Sequence, residues 1–180
     1  CRAQMDESEA DSPFFTTGKW SRYWFSFVDK VAREVKKTHP DKYIATLAYA
    51  SYAAYPDGME LEDNITVQFC PHIRNVYDTS MQENDMKILR DWTEKEGDRR
   101  LFLWLYYCFP RERGHRASPQ WHVFPGFFAH TIGERFKQYA NMGARGMYFN
   151  GFAQGVDAYV TLRMLHDASQ TVDAILDDYF

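Results

Sequence analysis

Four short apolar runs, Tyr43 to Tyr52, Ile65 to His72, Leu101 to Pro110 and Gly146 to Phe152, each finish in a knot of aromatic and polar side chains. Near-continuous apolar runs of this kind suit strands covered on both faces, as in a parallel sheet. The segments between them mostly switch to helical spacing, so strands alternate with helices. That order predicts an α/β fold of parallel βα units joined by right-handed crossovers. Four strands do not close a barrel. The pattern therefore fits either a small open sheet or half of an eight-stranded TIM barrel.

The helices are placed by periodicity and by their ends. Trp20, Trp24, Phe27, Val28, Val31 and Val35 predict a helix over about Ser21 to Thr38, closed by His39-Pro40-Asp41. The aromatic stripe reads as core packing. A strand over about Lys42 to Ala50 is followed by SYAAYPDGMELEDN, which carries a Pro-Asp-Gly turn and no convincing helix. Further strands are expected at about Ile65 to Cys70, Leu101 to Cys108 and Gly146 to Asn150. Helices are expected over Met81 to Glu96 with Gly97 as its stop, Ala129 to Asn141 closed by Gly143, and Asp157 to Asp167. Met86, Leu89 and Trp92 should face inward. Ser169 is the expected cap of a last helix running through Leu176. The loop PRERGHRASPQWHVFPGFF is long enough to suggest a functional role.

The 180 residues are 45% hydrophobic and 17% aromatic, enough for the core of one domain. A net charge of −4 argues against a nucleic-acid surface, which needs a basic stripe. No apolar run approaches the roughly 20 residues of a membrane span. Cys1, Cys70 and Cys108 are an odd, widely spaced set and form no disulfide framework. Cys70-x-His72 is too little for a zinc site, so no metal is expected. Dinucleotide, P-loop and serine-hydrolase signatures are missing from the sequence, and no cofactor is expected. Neither end carries a helix stop, which suggests a segment of a longer chain.

The strand tails hold Tyr49, Tyr52, Cys70, His72, Tyr106, Tyr107 and Asn150. Phenol rings stack on the apolar face of a pyranose, and their oxygens meet hydroxyls. Tyr49, Tyr52, Tyr106 and Tyr107 are thus candidate sugar contacts, or else core residues, and alternation lets only one of Tyr106 and Tyr107 face a barrel interior. His72 is either a proton donor and acceptor near neutrality or a histidine held by loop backbone. Trp121 and His122, with His115, line or cap a cleft in the long loop. Arg111, Arg113 and Arg116 suit a uronic-acid carboxylate, or form a solvated charge run. Asn150 bonds a hydroxyl but exchanges no proton. Glycoside hydrolysis needs two carboxyl groups about 5–10 Å apart. The nearest acids to the strand ends are Asp57, Asp78, Glu112 and Asp157, all in loops or at helix starts, where a structural role is the simpler reading.

The phrases VAREVKKTHPDKYIATLAY and NITVQFCP, followed by a Trp-bearing helix, LFLWLYYCF and GARGMYFNGF, resemble the bacterial family known as domain of unknown function 4838. The resemblance covers nearly the whole chain. It implies a TIM (β/α)8 barrel similar to glycoside hydrolases, near α-glucuronidase and hexosaminidase-type barrels, of which residues 1–180 would be the C-terminal half. It also implies export to the periplasm or exterior. The expected partners are an oligo- or polysaccharide and the missing N-terminal half of the same chain, which would supply the catalytic acids. The segment alone is expected to be inactive. The competing expectation is a non-catalytic carbohydrate-binding or scaffold barrel.

Overall fold

The computed structural model describes residues 5–9, 11–71, 78–96, 101–106, 127–150 and 155–180. The parallel strands β1 (Ile44–Ala48), β2 (Ile65–Phe69), β3 (Leu101–Tyr106) and β4 (Met147–Asn150) form one sheet in the order β1-β2-β3-β4. Each strand neighbours the next in sequence. With right-handed crossovers this order carries every connection over the same face. That is the winding of a TIM barrel; a doubly wound sheet reverses its order and takes helices on both faces. The chain is thus α/β, with four parallel strands, of which all but β1 are followed by an α-helix, arranged as in half a TIM barrel.

Burial follows the winding. Thr46 and Ala48, Ile65, Val67 and Phe69, and Leu101, Leu103 and Leu105 are all buried. Register joins them across the sheet, as in Ala48 to Phe69 to Leu103, so they share the covered face. Their alternates, Gln68, Phe102, Trp104 and Tyr106, stay half-buried, and Tyr148 is 49% exposed. The second face of the sheet is more open than the first, although Thr66 is buried on it.

Helix α1 (Ser21–Thr38) lies where its periodicity places it and stops at His39, whose N–H bonds Val35 O. Its inward stripe, however, is Ser21, Phe25, Val28, Asp29 and Ala32. Phe27 is 59% exposed, so the expected stripe is rotated. The cause is Asp29. Its carboxylate accepts from Glu62 N at 2.9 Å and pairs with Arg33 Nε at 2.8 Å, which allows a charge to occupy a core-facing position. A polar residue in the true stripe hides it from a hydrophobicity reading. Trp24 sits at the flank, with Nε1 donating to Thr46 Oγ1 at 2.9 Å.

The β1–β2 crossover has no α-helix, only a short 3₁₀ turn at Ala50–Tyr52. The loop covers the sheet itself. Ala53 is fully buried, and Ala53 O accepts from Trp92 Nε1 at 2.9 Å. Trp92 belongs to α2 (Thr79–Glu96), which Asp78 caps by accepting from Ser80 N and Met81 N. Helix α3 (Ala129–Asn141) ends at Gly143, whose φ of +80° suits a residue without Cβ. Next come α4 (Gly155–His166) and α5 (Val172–Tyr179). The cap of α5 is Thr171, bonded to Ala174 N at 3.3 Å, and not Ser169. Ser169 is already engaged: its N–H and hydroxyl both bond Asp167 Oδ1 in the preceding turn.

Candidate functional site

Three strands end in one cluster. Tyr49 follows β1, Cys70 follows β2, and Tyr106 is the last residue of β3. Tyr49 stands 6.5 Å from Tyr106 and 6.3 Å from Tyr52, ring centre to ring centre. Tyr52 in turn lies 4.9 Å from Trp24, and Phe15 meets Tyr49 edge-on at 5.4 Å. The Tyr106 phenol lies close enough to Cys70 and Tyr49 for both to act on its titration, and the Cys70 thiol donates to Gln68 O at 3.7 Å. Asn150 ends β4 directly beside Tyr106 in the register. The first strand tail turns inward because Ala50 takes a positive φ of 49° and the segment before α1 grips it, through Thr17 N to Ala50 O and Trp20 N to Ser51 O.

The cluster is electrically neutral near physiological pH. Burial pushes the Cys70 thiol up to about 12, and the Tyr106 hydrogen bond only partly offsets this. Burial also raises Tyr106, with Cys70 and Tyr49 adding to the rise, and raises Tyr52. A thiol held protonated is a poor nucleophile and metal ligand. The expectation of Cys70 as a small buried hydrophobe therefore stands beside its role in the phenol network: it is fully buried yet hydrogen-bonded. Iodoacetamide at about pH 8 should leave the Cys70 peptide unmodified in the native protein and label it after unfolding. Native labelling at the unfolded rate, read by peptide mass, would contradict this.

The acids have other work. Asp57 pairs with Lys95, which lies over the Tyr55 ring. Asp78 caps α2. Asp157 is 3% exposed and accepts from Phe128 N at 3.2 Å, tying the first turn of α4 to the start of α3. Burial holds its carboxyl above the ordinary aspartate range, with the Phe128 hydrogen bond pulling the other way. The native state then keeps this proton longer than the unfolded chain does. Its contribution to stability is therefore greatest in acid and declines as pH rises from the ordinary aspartate value through the raised native one. Asp157→Asn should abolish that decline while keeping an oxygen for Phe128 N–H. Asp157→Ala should cost about 1 kcal/mol through the lost hydrogen bond to Phe128 N. Urea midpoints at about pH 4 and pH 7 measure both; an unchanged pH slope in Asp157→Asn would refute the assignment.

Of the expected site residues, Tyr49, Tyr52 and Tyr106 come together, and Asn150 adjoins Tyr106. His72, Tyr107, Trp121 and His122 lie outside the described residues, as do Cys108, Arg111, Glu112, Arg113, His115 and Arg116. Tyr106 shares the open face with Phe102 and Trp104. Trp104 and Tyr148 were not singled out from sequence, although they pack with ring centres 4.1 Å apart. The alternation of Leu101, Leu103 and Leu105 with Phe102, Trp104 and Tyr106 carried the signal. Among the described residues no trio of His, Cys, Asp or Glu is placed to hold a metal, and no helix is long and apolar enough to cross a membrane.

Winding order, helices on one face and an aromatic rim at the strand ends are consistent with half of a TIM barrel. The chain belongs to the family described as a domain of unknown function (DUF4838), which matches residues 2–180. No curated protein and no solved structure matches it.

Proposed function

We propose that this chain forms the saccharide-gripping part of a glycoside-hydrolase-like barrel acting on complex carbohydrate in an exported protein. The observation that carries the reading is the neutral cluster of Tyr49, Tyr52 and Tyr106 at the carboxyl ends of β1 and β3, with Asn150 beside it. Ligands of α/β barrels sit at that end of the strands. Phenol rings and a carboxamide match the mixed apolar faces and hydroxyls of a sugar, and they carry no charge that would favour an ion.

Hydrolysis needs carboxyl groups that the described strand ends do not hold. On this reading they come from further strands of the same barrel, in an N-terminal half preceding residue 1. The alternative, a carbohydrate-binding or scaffold barrel without turnover, is favoured by one specific observation: Asp57 is committed to an ion pair, Asp78 to a helix cap and Asp157 to the Phe128 backbone N–H.

A panel of aryl glycosides and aryl uronides, offered to the full-length protein, separates the two. Turnover supports the hydrolase, and saturable oligosaccharide binding without turnover supports the binding barrel. Failure of every saccharide to bind or react would remove both.

A further inference from the structure

We infer that Trp104 is the floor of the saccharide site, stacking on the ligand ring and donating a hydrogen bond to it through Nε1. The inference rests on the carbohydrate reading and extends it to a residue deeper in the sheet than the rim. Trp104 lies two residues before Tyr106 on β3 and on the same, open face. It is ring-to-ring neighbour of both Tyr106, at 6.4 Å, and Tyr148, at 4.1 Å. Tyr148 is its register partner on β4, so the two rings form a cross-strand platform rather than a chance contact. Through Tyr106 the platform joins the Tyr49–Cys70 network without a gap.

The second observation concerns the indole nitrogen. Trp104 Nε1 is shut off from solvent and has no hydrogen-bond partner among the described residues. Trp24 and Trp92 show how this protein otherwise treats the group, since their Nε1 atoms donate to Thr46 Oγ1 and Ala53 O, each at 2.9 Å. A buried donor left unmatched is costly, and a structural tryptophan is normally given an acceptor. An indole that lacks one, on an uncovered aromatic face below a ring of phenols, is suited to turn toward an incoming hydroxyl. The apolar face of one pyranose meets the ring, and an oxygen of the neighbouring sugar unit, lying near the ring plane, meets Nε1.

The test titrates chitotriose, xylotriose and methyl glucuronide into the full-length protein and its Trp104→Phe and Trp104→Leu variants, by calorimetry and by tryptophan fluorescence. Trp104→Phe keeps a ring and removes the donor, and should weaken the best-bound probe about three- to tenfold. Trp104→Leu also removes the stacking face and should weaken it about tenfold more. The ligand-induced fluorescence change should shrink in both, while the melting temperature of Trp104→Phe stays close to that of the parent. Saturable binding of the parent, with unchanged affinity in both variants or in Trp104→Phe alone, would overturn the role of Trp104 and leave the saccharide reading standing. A parent that binds none of the three probes would overturn the reading itself, and this inference with it.

Discussion

Trp92→Ala should lower the free energy of unfolding by about 3–5 kcal/mol. Trp92 is 2% exposed. Its ring meets Phe25 of α1 at 5.1 Å and Tyr55 of the β1–β2 loop at 5.0 Å, and its nitrogen holds Ala53 O. One side chain thus pins two helices and the loop that stands in for a helix. Truncation leaves a cavity and also strands a buried carbonyl, and the second loss is additional to the first. Trp92→Phe weights the comparison toward the second, because it keeps much of the ring volume and loses the donor. It should cost about 1–3 kcal/mol. Urea unfolding followed by far-ultraviolet circular dichroism measures both. A loss below about 1 kcal/mol for Trp92→Ala would mean that the loop is not anchored here.

Gly133→Ala should also destabilise, against the usual preference of helices. Inside α3, alanine is ordinarily better than glycine by about 1 kcal/mol. At this position a Cβ would fall inside the van der Waals surface of Val172 Cγ2 and stand 3.6 Å from Val172 Cβ. Val172 begins α5, and its branched side chain has few rotamers to escape into. Overpacking typically costs about 1–3 kcal/mol, enough to reverse the propensity gain. Adding Val172→Ala should restore most of the loss, giving a coupling of about 1 kcal/mol or more between the two sites. A Gly133→Ala protein that melts higher than its parent would show that α3 and α5 do not meet this closely.

How far these contacts were legible in the sequence depends on what carried them. Strand and helix positions followed from apolar runs and from terminators such as His39-Pro40 and Gly143, because those signals are local. The rotation of the α1 stripe was hidden because Asp29 is buried by virtue of distant partners, the Glu62 amide above all. The choice of Thr171 over Ser169 turned on a competing bond to Asp167 that spacing alone did not rank. The strand-end residues Tyr49, Tyr52, Tyr106 and Asn150 were readable because strand polarity fixes which end forms the rim. Their union with Cys70 was not, since it depends on the register of three strands. Trp104 was missed for a related reason. A run such as LFLWLY looks uniformly apolar until one face of the sheet is known to be open.

The central claim, that the strand-end phenols grip a saccharide, is tested most directly by ring signals of isotope-labelled tyrosines during a titration with the best-bound oligosaccharide. Tyr49, Tyr52 and Tyr106 should shift together along one saturation curve. Tyr139, buried in α3, and Tyr159, packed on Tyr179 of α5, should stay still. Saturable binding that moves Tyr139 or Tyr159 and leaves the three rim tyrosines unmoved would contradict the account.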